Sequence, residues 1–272
     1  MTDDLLAEYL RARRAQLRPA DVGLPEGNGR RRVTGLRREE VALLAGISAD
    51  YYLRLEQGRG GTPSPEVLRA LARVLRLDQA ATGYLISLAI PQPTGPPLPL
   101  VGEEVPASTQ NLVRLLPWPA FVTGQYFDVL AANAGAQKIS PELVVGKNRL
   151  RSFFLVQSER DLYSDWAATA TRFVAVVRDT VGRGAARPDF LALVEELSEQ
   201  STSFREMWDR HDVATRDTEP AVLRHPVAGP LRLHLERLNL AGVPGQSLVV
   251  YHAEIGSPDA DRLTALLRGA DD

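Results

Sequence analysis

The sequence predicts an α+β fold, with an all-α five-helix domain first and a mixed α/β domain after it. Three observations carry this. Apolar residues recur at spacings of three and four through residues 5–88. Residues 90–107 (IPQPTGPPLPLVGEEVPA) hold six prolines, which leaves too few backbone N–H donors for regular structure and makes a semi-stiff linker. Beyond it the apolar period falls to two, with Leu231, Leu233 and Leu235 alternating with Arg232, His234 and Glu236. The domain boundaries are drawn accordingly at 1–89, a linker at 90–107, and 108–272.

Residues 5–17 place Leu5, Leu6, Tyr9, Leu10 and Leu17 along one stripe with arginines opposite, and Pro19 ends that helix. Residues 23–35, rich in Gly, Pro, Asn and Arg, read as a loop or wing. Two short helices follow, at 36–45 and 48–57. Gly46 supplies the positive φ that the turn between them needs, Ser48 caps the second, and small Ala42 lets the two cross closely. Val41, Leu44, Ile47, Tyr52 and Leu55 are expected in their shared core, which leaves Ala49, Asp50, Tyr51, Leu53 and Arg54 on or near the free face. Ser64-Pro65-Glu66 starts a helix with a cap, a preset φ and a carboxylate on the N-terminal dipole. It is expected to run to Leu77 with Val67, Leu68, Leu71, Val74 and Leu75 inward, and Asp78 caps a fifth helix through Leu88.

In the second region, residues 120–123 and 127–132 read as short strands about a turn at Gly124-Gln125. Residues 161–181 read as one helix, from Leu162, Trp166, Ala170, Phe173, Val177 and Val181. Pro188–Glu199 and Ser203–His211 are further helices. Strands around 231–236 and 247–253 are joined by a turn at 239–246, and Ser257-Pro258-Asp259 starts the last helix.

The chain has 272 residues, 44% hydrophobic and 24% charged, which is the balance of an ordinary globular protein. No apolar run is long enough to cross a bilayer, and MTDDLLAEYL lacks the basic start and apolar block of a secretory signal. The absence of cysteine excludes disulfides, thiolate zinc sites and cysteine nucleophiles, and fits a cytoplasmic location. Net charge is −2, which argues against a sequence-blind polyanion binder. Its distribution is uneven: residues 1–90 hold 14 arginines against 11 acids, and residues 11–38 alone hold nine arginines and two acids. A local basic patch on a neutral chain suits a specific DNA binder, because phosphate attraction acts within a Debye length.

A helix, a glycine-pinned turn and a capped second helix form a helix-turn-helix, whose second helix is shaped for the major groove. Arg54 suits a guanine edge, Asp50 a cytosine amino group and Ala49 a thymine methyl. Arg37 and Arg38 open the preceding helix, where phosphate is already favoured, and Arg30, Arg31 and Arg32 are further phosphate candidates. Residues 36–58, with Glu40, Ala42, Gly46, Ser48, Tyr52, Leu55, Glu56 and Gly58, resemble the phage repressor and Cro type of helix-turn-helix, the Xre family. The resemblance implies base reading by Ala49, Asp50 and Arg54, with Ala49 departing from the long amide often found there. Double-stranded operator DNA is the expected partner and a homodimer the expected form, because such proteins read half-sites one DNA turn apart.

The fragments GLRREEVALLAG, DLYSDWAATA, LVEELSEQSTSFREMWDRHDV, RHPVAGPLRL and LVVYHAEIGSP resemble the MmyB-like transcription regulators, in which an Xre domain precedes a PAS-like ligand-binding domain. The Asp165-Trp166 pair, residues 203–208 and His225-Pro226 are the more specific marks. This resemblance implies a small sheet covered by helices, with an apolar pocket for a lipid-like or fatty-acid-like molecule. Candidate pocket residues are Trp166, Phe173, Phe204, Met207 and Trp208, with Arg178, Arg205, His211 and His225 as anchors for a carboxylate. Plain core packing competes for each aromatic residue, and a surface ion pair for each arginine. His234 and His252 face each other if their strands pair, yet nothing in the spacing demands a metal. No Gly-x-Ser-x-Gly, phosphate loop or carboxylate pair is present, so neither an enzyme nor a cofactor is expected. Two rivals stand beside a ligand-controlled regulator: a regulator whose second domain binds a protein partner, and an enzyme carrying a DNA-targeting domain.

Overall fold

The computed structural model describes residues 2–25, 35–90, 104–180, 188–213 and 220–269. The chain packs into two compact units. The first comprises residues 1–97, 172–187 and 205–215; the second comprises 98–171, 188–204 and 216–272. Two segments from within the expected second domain therefore belong to the first unit.

The first unit holds α1 (Thr2–Gln16), a 3-10 turn at Pro19–Val22, α2 (Arg38–Ala45), α3 (Ala49–Glu56), α4 (Pro65–Val74) and α5 (Gln79–Ala89). Side-chain caps set three starts: Ser48 Oγ accepts from Tyr51 N at 3.1 Å, Ser64 Oγ from Val67 N at 3.4 Å, and Asp78 Oδ1 from Ala81 N at 2.8 Å. Gly46 takes φ +69° in the turn between α2 and α3. Helix α4 stops at Val74, short of Leu77. Arg76 turns left-handed at φ +50°, and Leu77 N reaches back to Ala72 O at 2.9 Å, so a Schellman closure ends the helix without glycine. The core is Tyr9, Leu10, Leu36, Val41, Tyr52, Leu55, Leu68, Leu71 and Leu85, and Val213 joins it. Leu44 departs from expectation: it is 36% exposed, with Leu43 at 76%, because α2 buries only its Val41–Ala42 side.

Glu56, the last residue of α3, is buried at 2% exposure. Arg14 of α1 donates to it from Nε at 2.5 Å and Nη2 at 3.2 Å, and Arg38 of α2 donates from Nε at 2.6 Å. Arg14 also donates from Nη1 to Leu36 O at 2.8 Å. Burial alone would raise the Glu56 pKa; the hydrogen bonds from Arg14 and Arg38 outweigh it and hold the carboxyl below its usual range. Beside this cluster, Gly35 lies so close to α1 that an added Cβ would sit 2.6 Å from the Ala15 backbone.

The second unit holds α6 (Ala107–Leu115), β1 (Ala120–Thr123), β2 (Val129–Ala132), α7 (Ala134–Ile139), α8 (Arg149–Leu155), α9 (Gln157–Leu162), α11 (Pro188–Gln200), β3 (Ala221–His225), β4 (Gly229–Asn239), β5 (Ser247–His252) and α13 (Pro258–Arg268). Helices α10 (Trp166–Thr180) and α12 (Thr202–Asp209) each begin in this unit and end in the first. The five strands form an antiparallel sheet in the order β2-β1-β5-β4-β3. One face, with Phe121, Leu223, Leu231, Leu233, Val249 and Tyr251, packs against Ala136 and Ile139 of α7, Leu162 of α9 and Leu263 and Leu266 of α13. The other packs Ala120, Val122, Ala131 and Leu248 against Val113 of α6. Asn133 joins these layers: its Oδ1 accepts from Ala120 N and Ala136 N, and its Nδ2 donates to the carbonyls of Val113, Leu116 and Trp118.

The single helix expected over 161–181 is two helices. Tyr163 bridges to Leu223, Ser164 N donates to Val222 O at 2.9 Å, and Asp165 Oδ1 caps the restart by accepting from Ala168 N at 3.0 Å. The strand expected from 127 begins at Val129, since Phe127 takes φ +72° within the turn.

Replacing Glu56 by Gln is expected to destabilise the protein by about 3–5 kcal/mol, the cost of breaking a buried pair from one side, as measured by urea unfolding at neutral pH. The depressed folded pKa means that wild-type stability from this group is full above the unfolded carboxylate value and is lost as pH falls through the folded one. The variant should lack this acid-side loss, and an unchanged acid slope would contradict the assignment. Gly35→Ala is expected to cost about 1–3 kcal/mol by overpacking, read as a lowered Tm.

Candidate functional site

The first candidate surface is the outer side of α3. Ala49 and Asp50 are exposed in its first turn, and Arg54 is exposed one turn later. The Arg54 guanidinium lies 5.9 Å from the centre of the Tyr51 ring, and its Nε lies 3.6 Å from Asp50 Oδ2. An exposed pair of this kind is worth little, so neither side chain is held in place by the other. Tyr51 is half-buried and packs on the core, which leaves it the supporting member of the group. Ser48 is committed to the cap.

Arg37 sits at the N-cap of α2, exposed, its backbone N–H donating to Glu40 Oε2 at 2.6 Å. Its side chain projects at a helix start that favours anions. Arg38 has a divided role: its Nε is spent on Glu56, while the side chain remains 46% exposed. Arg30, Arg31 and Arg32 lie outside the described residues. Glu56 had passed in the sequence only as a mark of resemblance, because nothing local reveals that Arg14 and Arg38 converge on it.

The second candidate set divides between the units. Trp166 and Phe204 come together in the second unit, through Phe153 and Phe154. The Trp166 ring stacks on Phe153 at 5.7 Å, its Nε1 donates to Phe153 O at 3.2 Å, and the Arg160 guanidinium covers it at 4.1 Å. Phe204, fully buried, meets Phe154 edge-on at 5.0 Å. Sequence reasoning missed Phe153 and Phe154, whose α8 is too short to show a period. Beneath them lies a buried ion pair, Arg149 Nη1 to Glu159 Oε2 at 2.8 Å, with Ser140 Oγ donating to the same carboxylate and Arg149 Nη2 donating to Tyr163 Oη at 3.2 Å.

Phe173, Arg178, Met207, Trp208 and His211 belong to the first unit, as does the exposed Arg205. There Arg178 lies 4.0 Å from the centre of the Trp208 ring, donates from Nη2 to the Trp208 carbonyl, and donates from Nη1 to His211 Nδ1 at 3.0 Å. His211 therefore carries its proton on Nε2. It takes φ +53° and packs near Tyr9 of α1, with ring centres 6.5 Å apart. Arg13 of α1 pairs with Asp212 at 3.1 Å, and Gln16 donates to Arg210 O. Residues 210–212 are thus tied to α1.

His225 is buried and has both ring nitrogens engaged. Nε2 donates to Lys138 O at 2.8 Å, and Nδ1 accepts from Val227 N and Ala228 N, which shapes the turn between β3 and β4. His234 and His252 stack at 5.1 Å, each near one carboxylate, Glu254 at 3.6 Å and Glu236 at 3.7 Å. Among the described residues no group of three or more such side chains has metal-binding geometry, and no helix is long and apolar enough to cross a membrane.

The sequence matches two family models. One, described as the MmyB-like transcription regulator ligand binding domain, covers residues 105–267; the other, a helix-turn-helix domain, covers residues 5–85. No curated protein matches the chain significantly.

Burial first, and then the neighbouring Arg178, push the His211 pKa down to about 4. A folded pKa below the unfolded one near 6.5 means that protons favour unfolding. The stability that neutral His211 contributes is full above about pH 6.5 and declines toward pH 4. Proton NMR titration should show the His211 ring resonance moving only near the bottom of that window; movement centred at pH 6–7 would show the ring to be open to solvent.

Proposed function

Since the chain belongs to the MmyB-like transcription regulators, matched over residues 105–267 and carrying a helix-turn-helix domain over 5–85, we propose that it is a sequence-specific, Xre-type operator-binding regulator controlled by a small apolar, fatty-acid-like molecule held in its PAS-like second unit. The observation that carries the DNA half is the exposure of Ala49, Asp50 and Arg54 on a helix capped by Ser48 at one end and clamped through Glu56 at the other. A rigid rod with three small-to-long polar and apolar tips on one side is what base reading in the major groove requires. Arg37 and Arg38 hold the flanking phosphates. The working form is a homodimer, which places two such rods on half-sites one DNA turn apart.

Control by ligand is supported by the way the chain is shared. Trp166 opens α10 and Phe204 lies in α12, while the later turns of both helices belong to the unit that reads DNA. A molecule that reorders the aromatic group around Trp166 and Phe204 acts on segments covalently continuous with those that grip α1. It shifts DNA affinity only by as much as its own affinity differs between the two arrangements. A second reading, with a protein partner in place of the small molecule, draws on exposed apolar side chains of the second unit such as Val227 (82%) and Ile255 (97%).

Operators are to be selected from a random duplex pool and then titrated by fluorescence anisotropy across salt concentrations. Arg54→Ala is expected to cost about 1–3 kcal/mol and to relax preference at one base position. Arg37→Ala is expected to weaken all duplexes alike and to reduce the salt slope by about one. Unaltered base preference in the Arg54 variant would remove α3 as the reading element. Native mass spectrometry of the DNA complex should find two copies of the chain.

A further inference from the structure

Two neighbouring arginines of α1 reach to different parts of the chain. Arg14 grips Glu56, the last residue of α3. Arg13 grips Asp212 at 3.1 Å, across 199 positions of sequence. Asp212 lies just past the end of α12, and each of the four residues around it is attached to the first unit. The Arg210 carbonyl accepts from Gln16. His211 accepts from Arg178 Nη1 at 3.0 Å and sets its ring 6.5 Å from that of Tyr9. Val213 is buried in the same core as Tyr9 and Leu10. His211 does this with a left-handed backbone, φ +53°. A residue other than glycine stays in that region where its surroundings hold it, and the Arg178 hydrogen bond and the Tyr9 ring are that hold.

The turn of α1 that is gripped from one side is the turn that grips on the other. Besides holding Glu56, Arg14 accepts from Leu36 N at 3.1 Å through its carbonyl and donates from Nη1 to Leu36 O at 2.8 Å. It thereby fixes the chain immediately before Arg37. Glu56 is buried, so it tolerates no partial loss of its cation. A displaced α1 leaves Arg14 either on the carboxylate or off it, with little between. Packed charge clusters of this kind have two discrete arrangements, and small shifts choose between them.

We propose that residues 210–213 are a strap that sets DNA affinity at a distance: held on α1, they keep Arg14 on Glu56 and α3 in its reading position; withdrawn, they loosen α3, although no strap residue touches DNA. The proposal rests on the DNA reading of α3 above and adds the means by which the later part of the chain acts on it. Arg13 and Asp212 are positioning residues. Helix α12 carries Phe204 in the second unit and runs on to the strap in the first, so it is the covalent route by which the strap is pulled.

Hydrogen exchange of the full chain without DNA reads the strap directly. Asp212→Asn is expected to speed exchange of the α3 amides about 2- to 5-fold, the effect of losing a half-exposed pair, and to leave the β1 and β5 amides as they are. The exchanged pair, Arg13→Asp with Asp212→Arg, is expected to restore α3 protection, whereas Arg13→Asp alone is not. The triple substitution His211→Gly, Asp212→Asn and Val213→Ser is expected to weaken binding to the selected operator about 10-fold, because only molecules with α3 in place bind. Its salt slope should match wild type, since no phosphate contact is lost. The sign is diagnostic: removing an acid makes the chain more positive, so electrostatics alone would tighten binding. Wild-type α3 exchange in Asp212→Asn, tighter operator binding, or equally faster exchange in β1 and β5 would overturn the strap and leave base reading by α3 in place, whether or not the triple variant folds. A wild type that selects no duplex would overturn the DNA reading and the strap's effect on affinity together.

Discussion

The Glu56 carboxylate is the point from which the DNA-reading unit is organised. It ends α3, and it is held by Arg14 from α1 and Arg38 from α2. A buried ion cluster adds little net stability over an apolar substitute, but it is intolerant of misplacement, since any shift leaves a charge unpaired in a dry environment. That intolerance fixes the end of α3. The positions of Ala49, Asp50 and Arg54 follow from where α3 ends as much as from where Ser48 starts it. Arg38 shows the economy of the arrangement: one nitrogen fixes the helix, and the rest of the side chain stays half-exposed.

The second unit solves a different problem. Its sheet is buried on both faces over β1 and β5, so its polar groups have to be satisfied inside. Asn133 does this with five hydrogen bonds between α6, β1 and α7, and the Arg149–Glu159 pair does it beneath the aromatic group. Helices α10 and α12 then carry the chain from this unit into the other, where Arg178, Trp208 and His211 form a compact polar knot.

Much of the first unit was legible because its signals are local. Ser48, Ser64 and Asp78 each mark a helix start within a few residues, and Gly46 marks a turn. The α4 end was misplaced because Arg76 adopts a left-handed conformation usually left to glycine. In the second unit the alternation of β4 was plain. Strand β3 was not: it is five residues long and half-exposed, with only Leu223 and His225 buried. Helices α7 and α8, with six and seven residues, are too short to show a period and were invisible for the same reason. Of the candidate residues, the motif placed Ala49, Asp50 and Arg54 on the exposed side of α3, whereas the aromatic and basic set of the second region could be named but not assembled.

By itself, then, the sequence determined the elements and the chemistry at their ends: which stretches are helical, where they are capped, which side chains remain on the outside of α3, and to which family the pattern belongs. Only the tertiary structure decided which distant residues meet. Arg14 finds Glu56 across 42 positions, Gly35 is required by the Ala15 backbone, and residues 210–212 reach α1 from some 200 positions away. The division has one physical cause. Capping and amphipathic period act over one or two turns of chain, while the pairing of buried charges depends on loops that close over tens of residues, and nothing in the local pattern records which closure is made.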